Sequence, residues 1–102
     1  MKNVLLVINP NAGKMKSRTA MYEIVSRLCK AGYQVCVQVT QHRGHAAELA
    51  REAWRNSDLC ICCGGDGTLN EIITGMMRAE RKIPIGYIPA GTTNDFAQSM
   101  NI

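Results

Sequence analysis

Hydrophobic residues follow two alternating patterns along this chain. Short runs rich in apolar and β-branched residues have the length of strands, and they lie at residues 4–8, 33–39, 59–63 and 85–88. Segments between them repeat apolar residues at i, i+3, i+4, i+7 and i+8, and these lie at residues 21–29, 46–54 and 69–77. This spacing places apolar side chains on one face of a helix. The pattern therefore predicts strands and helices in regular alternation.

Such alternation predicts a three-layer α/β fold, a doubly wound parallel sheet of about four strands with helices on both faces. The nearly continuous apolar runs are typical of strands buried on both faces. If the strand order is 2-1-3-4, the first and third strands are neighbours, and a crevice opens between the loops that follow them. One more helix is expected to begin at Thr92 or Thr93.

Composition fits one soluble domain over residues 1–102, with 46% hydrophobic residues and a net charge of +4. No run of about 18 apolar residues occurs, so we expect a cytoplasmic protein. The cysteines have no framework of a secreted protein and no zinc-knuckle spacing, which indicates reduced thiols packed as small hydrophobes. They are Cys29, Cys36, Cys60, Cys62 and Cys63.

Part of the positive charge is local, because Lys14, Lys16 and Arg18 follow the first predicted strand and its loop. This cluster suits an anionic ligand or peripheral contact with an anionic membrane. Aromatic residues are not interleaved with these cations, so a nucleic acid partner is not expected.

Polar loops follow the carboxyl ends of three predicted strands, where ligands of open α/β sheets bind. The most informative is Gly64-Gly65-Asp66-Gly67-Thr68. Its glycines permit positive φ and let backbone amides approach a phosphate. Thr68 is expected to cap the next helix, in a capping box with Glu71. Asp66 alone would repel phosphates, so its presence suggests a bridging Mg²⁺, a bound-water network or a hydroxyl to be deprotonated. It is therefore the candidate catalytic residue.

The other two loops are weaker signals by themselves. Residues 9–14 combine Asn, Pro and Gly with Lys14 but lack the spacing of a P-loop. Residues 91–95 offer hydroxyl and amide groups at a predicted helix start. The pair His42-x-x-His45 is interpreted as an exposed loop rather than a metal site.

Taken together, three segments resemble the catalytic domain of the diacylglycerol kinase and sphingosine kinase family, especially its bacterial lipid kinases. They are Asn9-Pro-Asn-Ala-Gly13, Gly64 to Glu71, and Gly91-Thr-Thr-Asn-Asp-Phe-Ala97. The resemblance implies a fold like the N-terminal domain of NAD kinases and phosphofructokinases. It also implies transfer of the γ-phosphate of ATP, with Mg²⁺, to a lipid hydroxyl such as that of diacylglycerol. The family's second, largely β lipid-binding domain is expected to be absent from this chain, which alone should be inactive.

The resemblance also implies the residues of the ATP site. By matching motifs these are Asn9, Pro10, Asn11, Ala12, Gly13, Thr40, Gly65, Asp66, Gly67, Thr68, Leu69, Asn70, Glu71 and Thr92. Asp66 is the expected catalytic residue, and the metal ligands stay open. In the family a Gly-Asp-Ala segment follows the threonine that matches Thr40, whereas this sequence has Gly44-His45-Ala46.

Two alternatives remain at this point. A fragment of an NAD kinase shares the Gly-Gly-Asp-Gly segment, although the Asn-Pro-Asn-Ala-Gly and Asn-Asp-Phe-Ala segments favour a lipid kinase. The second is a non-catalytic nucleotide-binding or interaction module, in which an open sheet edge and an uncovered apolar surface support a homodimer. The expected partners are thus a nucleotide, and a lipid acceptor held by the missing domain.

Overall fold

The computed structural model describes residues 2–10 and 18–89, with the backbone alone at residues 18–20. Its elements are β1 (Lys2–Ile8), α1 (Arg18–Lys30), β2 (Tyr33–Val39), α2 (His45–Glu52) with a 3₁₀ turn at Ala53–Arg55, β3 (Leu59–Gly64), α3 (Asp66–Met77) and β4 (Ile85–Pro89). The predicted alternation is confirmed. The helix expected from Thr92 and the cations Lys14 and Lys16 lie outside the described residues.

All neighbouring strands are parallel, in the order β2-β1-β3-β4. This confirms both the α/β fold class and the predicted strand order. Central strand β1 pairs with β2 and β3, and the register places Ile8 beside Val39 on one side and beside Cys63 on the other. The carboxyl ends of these three strands therefore meet at one edge of the sheet.

Helices cover both faces of the sheet, because alternate residues of β1 point to opposite sides. One face packs against α1 through Val4, Leu6, Ile8, Ile24 and Leu28. The other packs against α2 and α3 through Leu5, Val7, Ala46, Ala50, Ile72 and Met76. Thus α1 lies on one face, and α2 and α3 lie together on the other.

Small residues let α2 and α3 approach each other closely. A Cβ atom added at Gly75 would lie 2.1 Å from the carbonyl oxygen of Ala47. No side chain larger than hydrogen fits there at this helix separation, so Gly75 fixes how near α3 lies to α2.

Burial on both faces holds for β1 and β3 but not for the two edge strands. In β2 every residue keeps some exposure, and in β4 only Ile88 is fully buried. The prediction of two-sided burial was therefore wrong for β4, because a strand at the edge of the described sheet has a neighbour on one side only.

The cysteines divide in the same way. Cys60, Cys62 and Cys63 in β3 are buried, whereas Cys29 and Cys36 are exposed, so packing as small hydrophobes holds for three of the five. Burial raises the pKa of Cys60 to about 11 and that of Cys62 to about 12, and it raises the pKa of Cys63 further. All five thiols are free.

Within the described ranges, no helix has the length and apolar character needed to cross a bilayer.

Candidate functional site

Main-chain bonds hold the ends of three strands together. The Asn9 amide, just past β1, donates to the Cys63 carbonyl at 3.1 Å, and the Thr40 amide, just past β2, donates to the Ile8 carbonyl at 2.9 Å. Each bond extends the ladder between neighbouring strands by one residue. Two of the predicted site residues, Asn9 and Thr40, are thereby fixed at the same sheet edge.

A side-chain bond joins this edge to α3. Asn9 Nδ2 donates to Thr68 Oγ1 at 3.0 Å, and Thr68 is buried, with 8% of its surface exposed. The predicted capping role of Thr68 was wrong, because α3 begins at Asp66 and its N-cap is Gly65. Thr68 lies inside the first turn, so its hydroxyl binds Asn9, and Thr68 and Glu71 do not form a capping box.

The glycines at the β3–α3 junction leave the backbone bare without adopting positive φ. Gly65, at φ −94° and ψ −175°, is extended, and among the described glycines only Gly32 and Gly44 have positive φ. The freedom of Gly64, Gly65 and Gly67 to adopt positive φ is therefore not used here, since the strand leads into the helix through one extended residue.

The space around the backbone distinguishes Gly64 from Gly65 and Gly67. A Cβ at Gly64 would lie 3.1 Å from Thr68 Oγ1, so close packing against Thr68 favours glycine there. At Gly65 and Gly67 a Cβ would meet nothing within 4 Å. Neither the backbone conformation nor the described neighbours require glycine at these two positions, which leaves an open approach to the first turn of α3.

Beside this turn lies a cavity of about 600 Å³ at the carboxyl edge of the sheet. It brings together five predicted site residues, which are Asn9, Pro10, Thr40, Thr68 and Glu71. Five further residues also line it: Val39, Gln41, His42, Arg43 and Ala46. Sequence reasoning missed this second group, although Gln41, His42 and Arg43 follow β2 as closely as the other predicted loops follow their strands.

The other predicted residues lie around the cavity or elsewhere. Gly65 is the half-buried N-cap of α3, and Asp66 and Gly67 form the exposed start of the helix. Leu69 packs against the core of the α2–α3 face, and Asn70 is exposed. Asn11, Ala12, Gly13 and Thr92 lie outside the described residues.

Tyr87, in the neighbouring strand β4, supports the β3–α3 junction. Its hydroxyl donates to the Gly64 carbonyl at 3.2 Å. Partial burial, followed by the negative charge of nearby Asp66, raises the pKa of Tyr87. The phenol therefore keeps its proton at neutral pH and can donate this hydrogen bond. The sequence offered no signal for this role, since a tyrosine in an apolar strand is usually packing.

Carboxylates at the site are few. Over residues 2–10 and 18–89, no group of three or more His, Cys, Asp or Glu residues is arranged to hold a metal ion. Mg²⁺ in kinase sites uses one or two protein carboxylates together with substrate phosphates and water. Asp66 at the start of α3 and Glu71 in the cavity wall are acids of that kind.

The chain belongs to the diacylglycerol kinase catalytic domain family, whose sequence model matches residues 3–102. It is 36% identical over 103 residues to a diacylglycerol kinase of Bacillus subtilis (strain 168), covering 100% of this chain and 34% of the relative. It is 35% identical over 102 residues to a diacylglycerol kinase of Staphylococcus saprophyticus, covering 99% of this chain and 33% of the relative. The family resemblance inferred from three motifs is confirmed.

Solved structures agree with the fold. A crystal structure of a diacylglycerol kinase from Bacillus anthracis str. Sterne aligns with a TM-score of 0.80 at 33% identity, covering 99% of this chain and 37% of that one. The NAD kinase-like fold class is thereby confirmed. The chain spans about a third of the length of these relatives.

Proposed function

We propose that this chain is the ATP-binding part of a lipid kinase that transfers the γ-phosphate of ATP, with Mg²⁺, to a hydroxyl of a lipid such as diacylglycerol. The observation that carries the proposal is the cavity of about 600 Å³ that joins Asn9, Thr40, Thr68 and Glu71 beside the bare start of α3. The names of the relatives favour this function over an NAD kinase fragment.

Phosphate binding is proposed at the first turn of α3. The helix dipole and the amides of the first turn attract anions, and Gly65, the N-cap, supplies no side-chain cap. At Gly65 and Gly67 no Cβ shields the backbone, and open space surrounds both positions. A phosphate chain extending from the cavity could therefore reach the amides directly.

Phosphoryl transfer depends mainly on positioning and charge neutralisation. Asp66 and Glu71 are the carboxylates available to Mg²⁺, which would neutralise phosphate charge when bound. In the proposal Asp66 is the catalytic carboxylate, and Tyr87 steadies the junction that carries it by binding the Gly64 carbonyl.

The lipid acceptor is proposed to bind residues that this chain does not contain. The chain covers only about a third of the diacylglycerol kinases it resembles, and the cavity described here is lined mainly by polar residues. Hydrophobic sites for lipid tails are therefore expected in the part of these kinases that the chain does not cover.

Two measurements test the proposal. Calorimetry with MgATP is expected to show binding to this chain, and no binding at millimolar nucleotide would instead favour the non-catalytic interaction module. Phosphorylation of diacylglycerol in mixed micelles is measured with a protein that includes this chain and has the full length of its relatives. There Asp66→Asn is expected to lower turnover by roughly 10²- to 10⁴-fold.

The matched control for Asp66→Asn is Glu80→Gln, which removes one negative charge from an exposed position just past the other end of α3. It is expected to leave turnover unchanged. Turnover that persists in a folded Asp66→Asn protein would reject the catalytic role of this carboxylate.

A further inference from the structure

The loop between β2 and α2, residues 40–44, forms one wall of the cavity. Four of its members, Thr40, Gln41, His42 and Arg43, line the cavity. His42 and Arg43 are the basic residues among those that line the cavity, and Thr68 and Glu71 line it as well. The conformation of this loop therefore decides whether the His42 and Arg43 side chains reach a bound ligand.

Main-chain bonds hold the two ends of the loop. At one end the Thr40 amide is bonded to Ile8 of β1. At the other end, the His45 amide donates to the His42 carbonyl at 3.1 Å, and Gly44 has φ 85° and ψ −9°. A positive φ of this size favours glycine at the third position of the turn. Between the two ends lies the amide of Gln41.

The His45 side chain accepts a hydrogen bond from the Gln41 amide. His45 Nδ1 lies 2.9 Å from the Gln41 nitrogen, and the His45 ring stacks on His42 with a centroid distance of 4.8 Å and an interplanar angle of 15°. Because an amide only donates, Nδ1 must be the unprotonated acceptor nitrogen of the ring. The one imidazole thus holds both the loop backbone and the His42 ring that faces the cavity.

We propose that His45 is a positioning residue for nucleotide binding: its Nδ1 fixes residues 41–43 so that the basic wall of the cavity faces the phosphates of the ligand. The inference rests on the proposed function, since it concerns the same cavity.

Three variants separate the acceptor from the ring. His45→Asn keeps an acceptor oxygen at the position of Nδ1 without adding charge, whereas His45→Phe keeps an aromatic ring for stacking but removes the acceptor. His42→Phe is the control for the amide-exchange measurement alone, because it replaces the other histidine of the chain and leaves the Gln41 acceptor in place.

Amide hydrogen exchange followed by NMR measures the protection of the Gln41 amide, and calorimetry with MgATP measures nucleotide affinity. We expect the Gln41 amide to be protected in the unaltered chain, His45→Asn and His42→Phe, and unprotected in His45→Phe. Nucleotide affinity should fall roughly 3- to 10-fold in His45→Phe, the value of one hydrogen bond, and recover in His45→Asn.

The outcomes are distinguishable. Equal affinity of the unaltered chain and a folded His45→Phe variant would overturn this inference and leave the proposed function intact. An unprotected Gln41 amide in the unaltered chain would also overturn it. No nucleotide binding by the unaltered chain would overturn the proposed function itself, and the inference with it.

Discussion

Gly75→Ala is expected to destabilise the fold strongly, although alanine is the better helix former. The new Cβ would lie 2.1 Å from the Ala47 carbonyl oxygen, whereas ordinary contact begins at 3.4 Å. The difference, about 1.3 Å, must come from moving α3 away from α2. The obstacle is backbone on a neighbouring helix, so no side-chain rotation relieves it.

Two opposing terms set the magnitude. Replacing glycine by alanine inside a helix contributes about 1 kcal/mol of stability. Overpacking a core typically costs about 1–3 kcal/mol, and a gap of 0.5–1 Å already removes a quarter to a half of the dispersion attraction across it. Because the contact is with backbone, we place the cost at or above about 3 kcal/mol, which leaves a net loss of about 2 kcal/mol. For a domain of this size that lowers Tm by roughly 8–16 °C.

Thermal and urea unfolding followed by circular dichroism measure the effect. Gly67→Ala is the matched control, because it makes the same change in the same helix where a Cβ meets nothing within 4 Å. Its Tm should be unchanged or slightly higher. A Gly75→Ala variant as stable as the unaltered chain would refute the close approach of the two helices.

The remaining predictions concern the site and the thiols. Thr68→Val removes the acceptor of Asn9 Nδ2 and should lower the free energy of unfolding by about 1–2 kcal/mol. The exposed control Thr74→Val should change it by less than about 0.5 kcal/mol in the same urea titration. Gly67→Ala should keep the fold yet weaken MgATP binding in calorimetry, and unchanged affinity would count against phosphate contact at this turn. At about pH 8, iodoacetamide should label the exposed Cys29 and Cys36 but not the three buried β3 thiols until the chain unfolds, as mass spectrometry would show. Burial raises the pKa of these thiols in the folded state above the ordinary 9.0. The stability they contribute is therefore fully present below about pH 9 and is lost as pH rises toward about 11 to 12. Urea titrations at increasing pH would measure this loss.

Local patterns carried most of the fold prediction. Apolar periodicity identified all seven main elements of the described residues, because a period of 2 or 3.6 residues depends only on which side of a strand or helix is buried. One error arose where the helix start was inferred from residue preference alone. Thr68 is a favoured capping residue, but α3 begins two residues earlier at Asp66.

The candidate site was predictable in part. Asn9, Thr40 and Thr68 follow or begin elements at the carboxyl edge of the sheet, so the parallel topology alone brings them near each other. The loop with Gln41 and His42 was interpreted only as exposed, because its contribution depends on how β2 and α2 pack around the cavity. The support of Gly64 by Tyr87 likewise needs the register of β3 and β4.

The sequence by itself determined the order of strands and helices, the family, and the loops that lie at the ligand-binding edge. These follow from spacing and residue type within short segments. Only the tertiary structure decided which side chains meet: Asn9 with Thr68, 59 residues apart, and Gly75 with Ala47. The physical reason is that such contacts depend on distances of a few tenths of an ångström between packed elements, which no local pattern encodes.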